Sequence, residues 1–252
     1  MEIKRKASWI RNWLIGLAVV IVIAAGSFFW YVSDYYKATA AAIKALQSDG
    51  SVTITETDDA ITFAPNGEDP EEGVIFYPGG KVETEAYAPL LRRLAEADLL
   101  VVIAKMPFHL AVFDADAAEA IMEQEVSVQD WYLAGHSLGG VMASSFAADQ
   151  SDEVAGLIFL ASYPSGDLTD APFPVLSIYG SEDEVLNRES YAEAQGKLPD
   201  DYTEIVLDGG NHGQFGDYGP QEGDGTASFS ADQQQQQTIE AITAFIGNNR
   251  QQ

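Results

Sequence analysis

The sequence predicts an α/β fold: a mostly parallel sheet of eight strands with helices on both faces, preceded by one transmembrane helix. Three observations carry this. From Gly73 onward, short apolar runs of strand length alternate with longer stretches of helical periodicity, which implies parallel strands joined by crossover helices. A glycine-flanked serine, in Gly135-His136-Ser137-Leu138-Gly139, stands where one such run turns into a helix. Ahead of both, Trp13 to Val32 is a stretch of 20 residues without a charge.

Taken in order, residues 1–12 form a basic N-terminus with Lys4, Arg5, Lys6 and Arg11. Residues 13–32 are long enough to span a hydrocarbon core of about 30 Å as a helix. Trp9 and Trp13 mark one end and Phe28, Phe29, Trp30 and Tyr31 the other, where amphipathic rings favour the interface. Ala24-Ala25-Gly26 offers a signal-peptide cleavage site, but the apolar run continues through four aromatics, which favours a retained anchor. The positive-inside rule keeps the basic end cytoplasmic, so the rest of the chain is expected outside, at the cell membrane. Residues 33–50 read as a juxtamembrane stalk, with an alanine-rich helix over Asp34 to Gln47.

Residues 51–252 form the remaining domain. Ser51 to Thr57 and Ala60 to Ala64 alternate apolar and polar residues across Asp58-Asp59, as an antiparallel hairpin at a sheet edge would. Asn66 to Glu72 is a polar loop. Strands are expected at Gly73 to Tyr77, Leu99 to Lys105, Trp131 to Ala134, Val154 to Ala161, Pro174 to Tyr179 and Thr203 to Leu207. Helices are expected at Thr84 to Ala97 (capped by Thr84), Asp114 to Val126, Val141 to Ala148, Ser190 to Leu198 and Asp232 to Ile246. The glutamine run Gln233 to Gln237 reads as a solvated helical face.

Composition narrows the function. The chain has 252 residues, 46% of them hydrophobic, enough for one large core and an appendage. It contains no cysteine, which excludes disulfides, thiolate metal sites and a cysteine nucleophile. A net charge of −26 argues against a nucleic-acid partner, because a polyanion would be repelled. It fits a solvated acidic surface suited to saline or alkaline surroundings. No calcium-binding loop pattern appears, and no metal or cofactor is expected.

The serine turn points to chemistry. Gly135 and Gly139 flank Ser137 at positions where a side chain would clash with neighbouring backbone. Such a turn lifts the serine oxygen above the sheet and leaves the first helix amides, beginning with Leu138, free to stabilise an oxyanion.

Gly135-His136-Ser137-Leu138-Gly139-Gly140 resembles the nucleophile elbow of the α/β-hydrolase superfamily, and the resemblance extends over roughly Glu72 to Gly247. Phe76-Tyr77-Pro78-Gly79-Gly80-Lys81 and the Met106-Pro107 loop are similar to those of a group of small bacterial α/β-hydrolases. The resemblance implies a triad in the order serine, acid, histidine, with Ser137 as nucleophile. His212, after the last strand in Asp208-Gly209-Gly210-Asn211-His212-Gly213, takes the base position, whereas His136 and His109 suit structural or loop packing. The Gly180-Ser181-Glu182-Asp183 turn is similar to the acid position and favours Asp183, with Glu182 and Glu184 as competing carboxylates. The second oxyanion donor comes from the Pro78 to Lys81 loop: Gly80 first, Lys81 next.

Met106, Pro107 and Phe108 follow a strand at the ligand-binding edge, and two roles are open to them: walling an acyl pocket or packing the loop. Only about a dozen residues separate Ala161 from Pro174, too few for the lid domain that many superfamily members insert there. Gln214 to Ser230 either lies across the mouth of the site or is an irregular loop. The expected activity is that of a serine esterase acting on a small-molecule ester or related acyl compound, with short acyl chains favoured. Acyl transfer, thioester or amide cleavage by the same triad, and a non-catalytic binding role on the same scaffold, are the competing functions.

Overall fold

The computed structural model describes residues 2–67 and 70–249. Glu68 and Asp69, in the expected Asn66–Glu72 loop, lie outside the described residues, as does the end of the domain after Asn249. The chain divides into two units, one ending at Tyr35 and the other beginning at Tyr36.

The first unit is helix α1 (Glu2–Ser33). Its stretch Trp9–Ser33, 25 residues containing an 18-residue window of mean hydropathy 2.3, is long and apolar enough to cross a membrane.

The second unit is built on one eight-stranded sheet: β1 (Val52–Glu56), β2 (Ala60–Pro65), β3 (Glu72–Tyr77), β4 (Leu100–Ala104), β5 (Asp130–His136), β6 (Gly156–Leu160), β7 (Val175–Gly180) and β8 (Tyr202–Leu207). Their order in the sheet is β1-β2-β4-β3-β5-β6-β7-β8. The expected hairpin β1–β2 is antiparallel and pairs antiparallel with β4; every pair from β4 to β8 is parallel. All carboxyl ends from β3 to β8 therefore share one edge.

Strand alternation divides the core into two layers. Val74 and Phe76 of β3 face one side, where Leu90, Leu91 and Leu94 of α3 (Ala88–Ala95) and Ile239, Ile242 and Ile246 of α7 (Ala231–Asn249) cover them. Ile75 and Tyr77 face the other, against Ala118 and Ile121 of α4 (Ala117–Gln124) and Ala143, Phe146 and Ala147 of α5 (Leu138–Asp149).

Several local expectations change in the folded chain. The Thr84 helix opens as a 3-10 turn, Thr84–Tyr87, and becomes α-helical only at Ala88, because Pro89 suits a first helical turn and not an interior. The stalk helix shrinks to α2 (Ala40–Ala45), and the segment around it belongs to the globular unit. Tyr36 N donates to Lys81 O at 2.8 Å, and Arg92 donates to the carbonyls of Ala45 and Gln47 at 3.1 and 2.6 Å. Tertiary hydrogen bonds outweigh the helix propensity of the alanines. Helix α6 (Arg188–Ala194) starts two residues early, where Asn187 accepts the Ser190 amide at 2.9 Å as an N-cap. Between β6 and β7 the chain carries no helix or strand, so no lid domain is inserted there.

Candidate active site

At the carboxyl edge, β5 runs into α5 through Ser137, whose φ of 51° and ψ of −122° are strained for a residue with a side chain. Neighbouring backbone enforces the turn. A Cβ on Gly135 would lie 2.4 Å from Gly140 N, and one on Gly139 would lie 2.1 Å from Tyr77 O. Ser137 N donates to Leu160 O at 2.9 Å, and Ser162 Oγ donates to Ser137 O at 2.7 Å. Sequence reasoning had no means of finding Ser162, a short polar side chain on a neighbouring strand's exit.

The turn after β7 meets the loop after β8. Gly180 makes this possible: a Cβ there would lie 2.1 Å from Gly210 O. Glu182 N donates to that same carbonyl at 2.8 Å. Asp183 is buried, and its Oδ2 lies 2.9 Å from His212 Nδ1. Its Oδ1 accepts the amides of Val185 and Leu186 at 2.9 and 2.8 Å. The competing carboxylates point elsewhere: Glu182 is exposed and accepts from Ser181 Oγ, and Glu184 is exposed. His212 is itself buried, and its Nε2 has no hydrogen-bond partner. With Nδ1 donating to a carboxylate, Nε2 is left as a bare acceptor.

The amides of Leu138 and Gly80 make no hydrogen bond among the described residues. The two residues adjoin, since a Cβ on Gly80 would lie 2.9 Å from Leu138 Cδ2. Lys81 differs: its amide donates to His109 O at 2.8 Å and is therefore occupied. Ser137, Leu138 and Gly80 are all partly open to solvent.

Met106 packs in the buried layer beside α4 and α5, whereas Pro107 and Phe108 are exposed, Phe108 edge-on to Phe113 at 5.6 Å. His109 lies in the same turn, and partial burial holds its imidazole below the usual range. His136 is fully enclosed, between the His212 and Phe215 rings at 4.6 and 5.7 Å.

Gln214–Ser230 is not a free loop. Asp224 in it accepts the amides of His212 and Gly213 at 3.2 and 2.8 Å, and Phe215 and Tyr218 are buried in the core. The glutamine run is also not simply a solvated face. Gln234 is fully buried and bonds both the amide and the carbonyl of Asn211, at 3.0 and 2.8 Å. Asp224 and Gln234 hold the loop that carries His212, and neither was legible as a site residue.

Among the described residues no group of three or more His, Asp or Glu side chains is placed to hold a metal ion. A cleft of about 560 Å³ lined by Glu72, Asp130, Pro174 and Asp201 lies at the opposite, amino edge of the sheet and includes none of the residues above.

Comparison with known proteins matches this fold. Residues 73–236 match the model of a family described as the alpha/beta hydrolase family. Among solved structures, Est1E from Butyrivibrio proteoclasticus aligns at a TM-score of 0.59 and 15% identity, over 81% of this chain and 100% of its own. A predicted CIB-like hydrolase from Thermoplasma acidophilum aligns at 0.57 and 13% identity, over 77% and 99%. Alpha/beta hydrolase domain-containing protein 10 from mouse aligns at 0.59 and 13%, over 79% and 99%. At these identities the likeness is one of fold. No curated protein sequence matches the chain.

Proposed function

The chain belongs to the alpha/beta hydrolase family, and from that premise we propose that it is a serine hydrolase cleaving a small carboxylic ester through an acyl-enzyme on Ser137. The observation that carries this reading is the buried Asp183–His212 pair with the bare Nε2 of His212, whose ring lies 4.6 Å from that of His136, the residue before the strained serine turn. A serine hydroxyl attacks only when a base takes its proton. His212 Nε2 takes it as Ser137 Oγ bonds to the ester carbonyl carbon. Asp183 accepts the hydrogen bond from Nδ1–H throughout, fixing the tautomer and stabilising the imidazolium. The amides of Leu138 and Gly80 receive the negative oxygen of the tetrahedral intermediate.

Collapse of that intermediate breaks the bond to the alkoxy group, which leaves with the proton from His212. Water then enters, gives a proton to Nε2 and its oxygen to the acyl carbon, and the acid departs as the acyl–Oγ bond breaks and Ser137 Oγ takes that proton back from Nε2. Every group needed is a side chain or amide of this chain, so no cofactor or metal takes part in the scheme.

The N-terminal helix is proposed to anchor the protein in the cell membrane, with the hydrolase unit outside the cytoplasm; the basic residues before Trp13 support that orientation. Reaction with a fluorophosphonate probe tests the central claim. The wild type should be labelled on Ser137, and Ser137→Ala should not. Absence of labelling in folded wild-type protein would show that Ser137 is not an activated nucleophile.

A further inference from the structure

We infer that Tyr87 and His136 are positioning residues that tie the oxyanion loop to the catalytic histidine through one buried chain of hydrogen bonds. The inference rests on the serine-hydrolase reading above. The Gly79 amide donates to Tyr87 Oη at 3.0 Å. Tyr87 Oη lies 2.8 Å from His136 Nδ1, and His136 Nε2 lies 3.2 Å from the backbone carbonyl of His212.

The chemistry of the end groups sets every proton in this chain. A carbonyl only accepts, so His136 Nε2 carries the hydrogen and donates to His212 O. In the neutral ring Nδ1 is then bare, so the Tyr87 hydroxyl donates to it while its oxygen accepts from Gly79. Burial, and then electrostatic interaction with the neighbouring His212 ring, hold the His136 imidazole well below its ordinary range. Burial likewise raises the Tyr87 phenol. Both groups therefore stay neutral, as the bonding pattern requires.

The ends of the chain are what give it a role. Gly79 immediately precedes Gly80, whose amide is proposed to face the oxyanion, and the far carbonyl belongs to the residue whose ring moves the proton. The bonds from Asp224 and Gln234 hold the same loop, but to the following segment and to α7. The Tyr87–His136 chain instead fixes base and oxyanion donor relative to each other. Tyr87, His136 and His212 are each no more than 1% exposed, so water does not compete for these bonds. A phenylalanine and a leucine would fill much of this space and cut the link, leaving the Gly79 amide and the His212 carbonyl without these partners.

The test uses the full chain in detergent, with p-nitrophenyl acetate as substrate and thermal melting to confirm folding. Tyr87→Phe should lower kcat by about 10- to 100-fold, the scale expected when a catalytic group is misplaced by a fraction of an ångström to one ångström. KM should stay within about twofold, because ground-state binding is not touched. His136→Leu should do the same. His136→Gln, which keeps an acceptor and a donor, should retain kcat within about fivefold of wild type. The double variant Tyr87→Phe/His136→Leu should be no worse than either single one, since both cut one chain. An unchanged kcat in folded Tyr87→Phe, or losses that multiply in the double variant, would overturn the inference.

Imidazole nitrogen NMR on histidine-labelled protein gives a reading that needs no turnover. His136 should show a protonated Nε2 and a bare Nδ1, and Tyr87→Phe should perturb the His212 ring signals. A proton on His136 Nδ1, or an unperturbed His212, would refute the link. If wild type and Ser137→Ala hydrolyse the ester equally, the serine-hydrolase reading fails, and the NMR result still decides whether the link exists.

Discussion

Asp183 and His212 meet through a bond of 2.9 Å between Oδ2 and Nδ1, with both side chains removed from solvent. The second carboxylate oxygen is held by two backbone amides, so the carboxylate cannot rotate without breaking them. Orientation at this site is thus set by backbone donors two and three residues further along the chain.

That geometry gives a graded set of expected losses. Ser137→Ala and His212→Ala should each remove nearly all turnover, about 10⁴-fold or more, because the proposed triad acts as a unit. In Asp183→Asn the side-chain oxygen should stay with the amides of Val185 and Leu186, turning its NH₂ toward His212 Nδ1. The ring must then carry its proton on Nε2 and cannot accept from serine, for a loss on the order of a hundredfold or more. Glu182→Gln, on an exposed side chain, should stay within about twofold. Steady-state kinetics on a short p-nitrophenyl ester checks the series, and damage at Glu182 in place of Asp183 would reassign the acid.

The elbow should be intolerant of a single methyl group. In Gly139→Ala the new Cβ would fall 2.1 and 2.3 Å from the carbonyl oxygens of Tyr77 and Pro78, which are backbone and cannot yield cheaply. A loss of about 3 kcal/mol is expected from such overpacking. Gly166→Ala, with nothing within 4 Å of its Cβ, should change stability by about 0.5 kcal/mol or less. Urea unfolding of the two variants provides the comparison, and equal midpoints would contradict it.

His136 should make the protein acid-sensitive. Its folded pKa is held well below the usual value, first by burial, whereas in the unfolded chain the ring titrates near about 6.5. Below that pH the unfolded state binds a proton that the folded state does not. Stability therefore falls with decreasing pH, by up to about 1.4 kcal/mol per pH unit from this group, and is flat above. His109 adds a contribution of the same sign. Unfolding measured between pH 5.5 and 8 should show a shallower slope in His136→Gln than in wild type. Parallel curves would remove His136 as the cause.

Substrates with acyl chains of about two to six carbons should be preferred. The β6–β7 connection carries no lid, and the large apolar groups of Gln214–Ser230 are turned inward, Phe215 and Tyr218 buried and Phe229 packed against the core. Each extra methylene contributes about 0.8 kcal/mol only where a pocket receives it. A graded series of p-nitrophenyl esters measures this, and a maximum beyond about ten carbons would point to a groove elsewhere.

Protease added to intact cells should remove the chain after about Lys37 and leave the basic N-terminus protected. Soluble protein beginning near Ser27 would indicate a cleaved signal in place of an anchor.

The sequence alone determined what is encoded locally. Strand and helix periods in Gly73 to Leu207 placed the alternating elements, and the spacing of Gly135 and Gly139 about Ser137 announced the sharp turn, because a missing Cβ is a property of single positions. What it left open depends on groups far apart in the chain. Three carboxylates stand in a row at Glu182, Asp183 and Glu184, and only packing of the Gly180 turn on Gly210 decided that Asp183 is the one buried against His212. The same holds for the glutamine run, where the helix phase buries Gln234 under Asn211. It holds for the alanine-rich stretch before Val52, which reads locally as a helix but is claimed by Lys81, Glu83 and Arg92. Tyr87 and His136, 49 residues apart, carry no shared signature at all. Their hydrogen bond exists because the 3-10 turn after β3 and the exit of β5 lie side by side in the sheet, an adjacency that only long-range strand pairing creates.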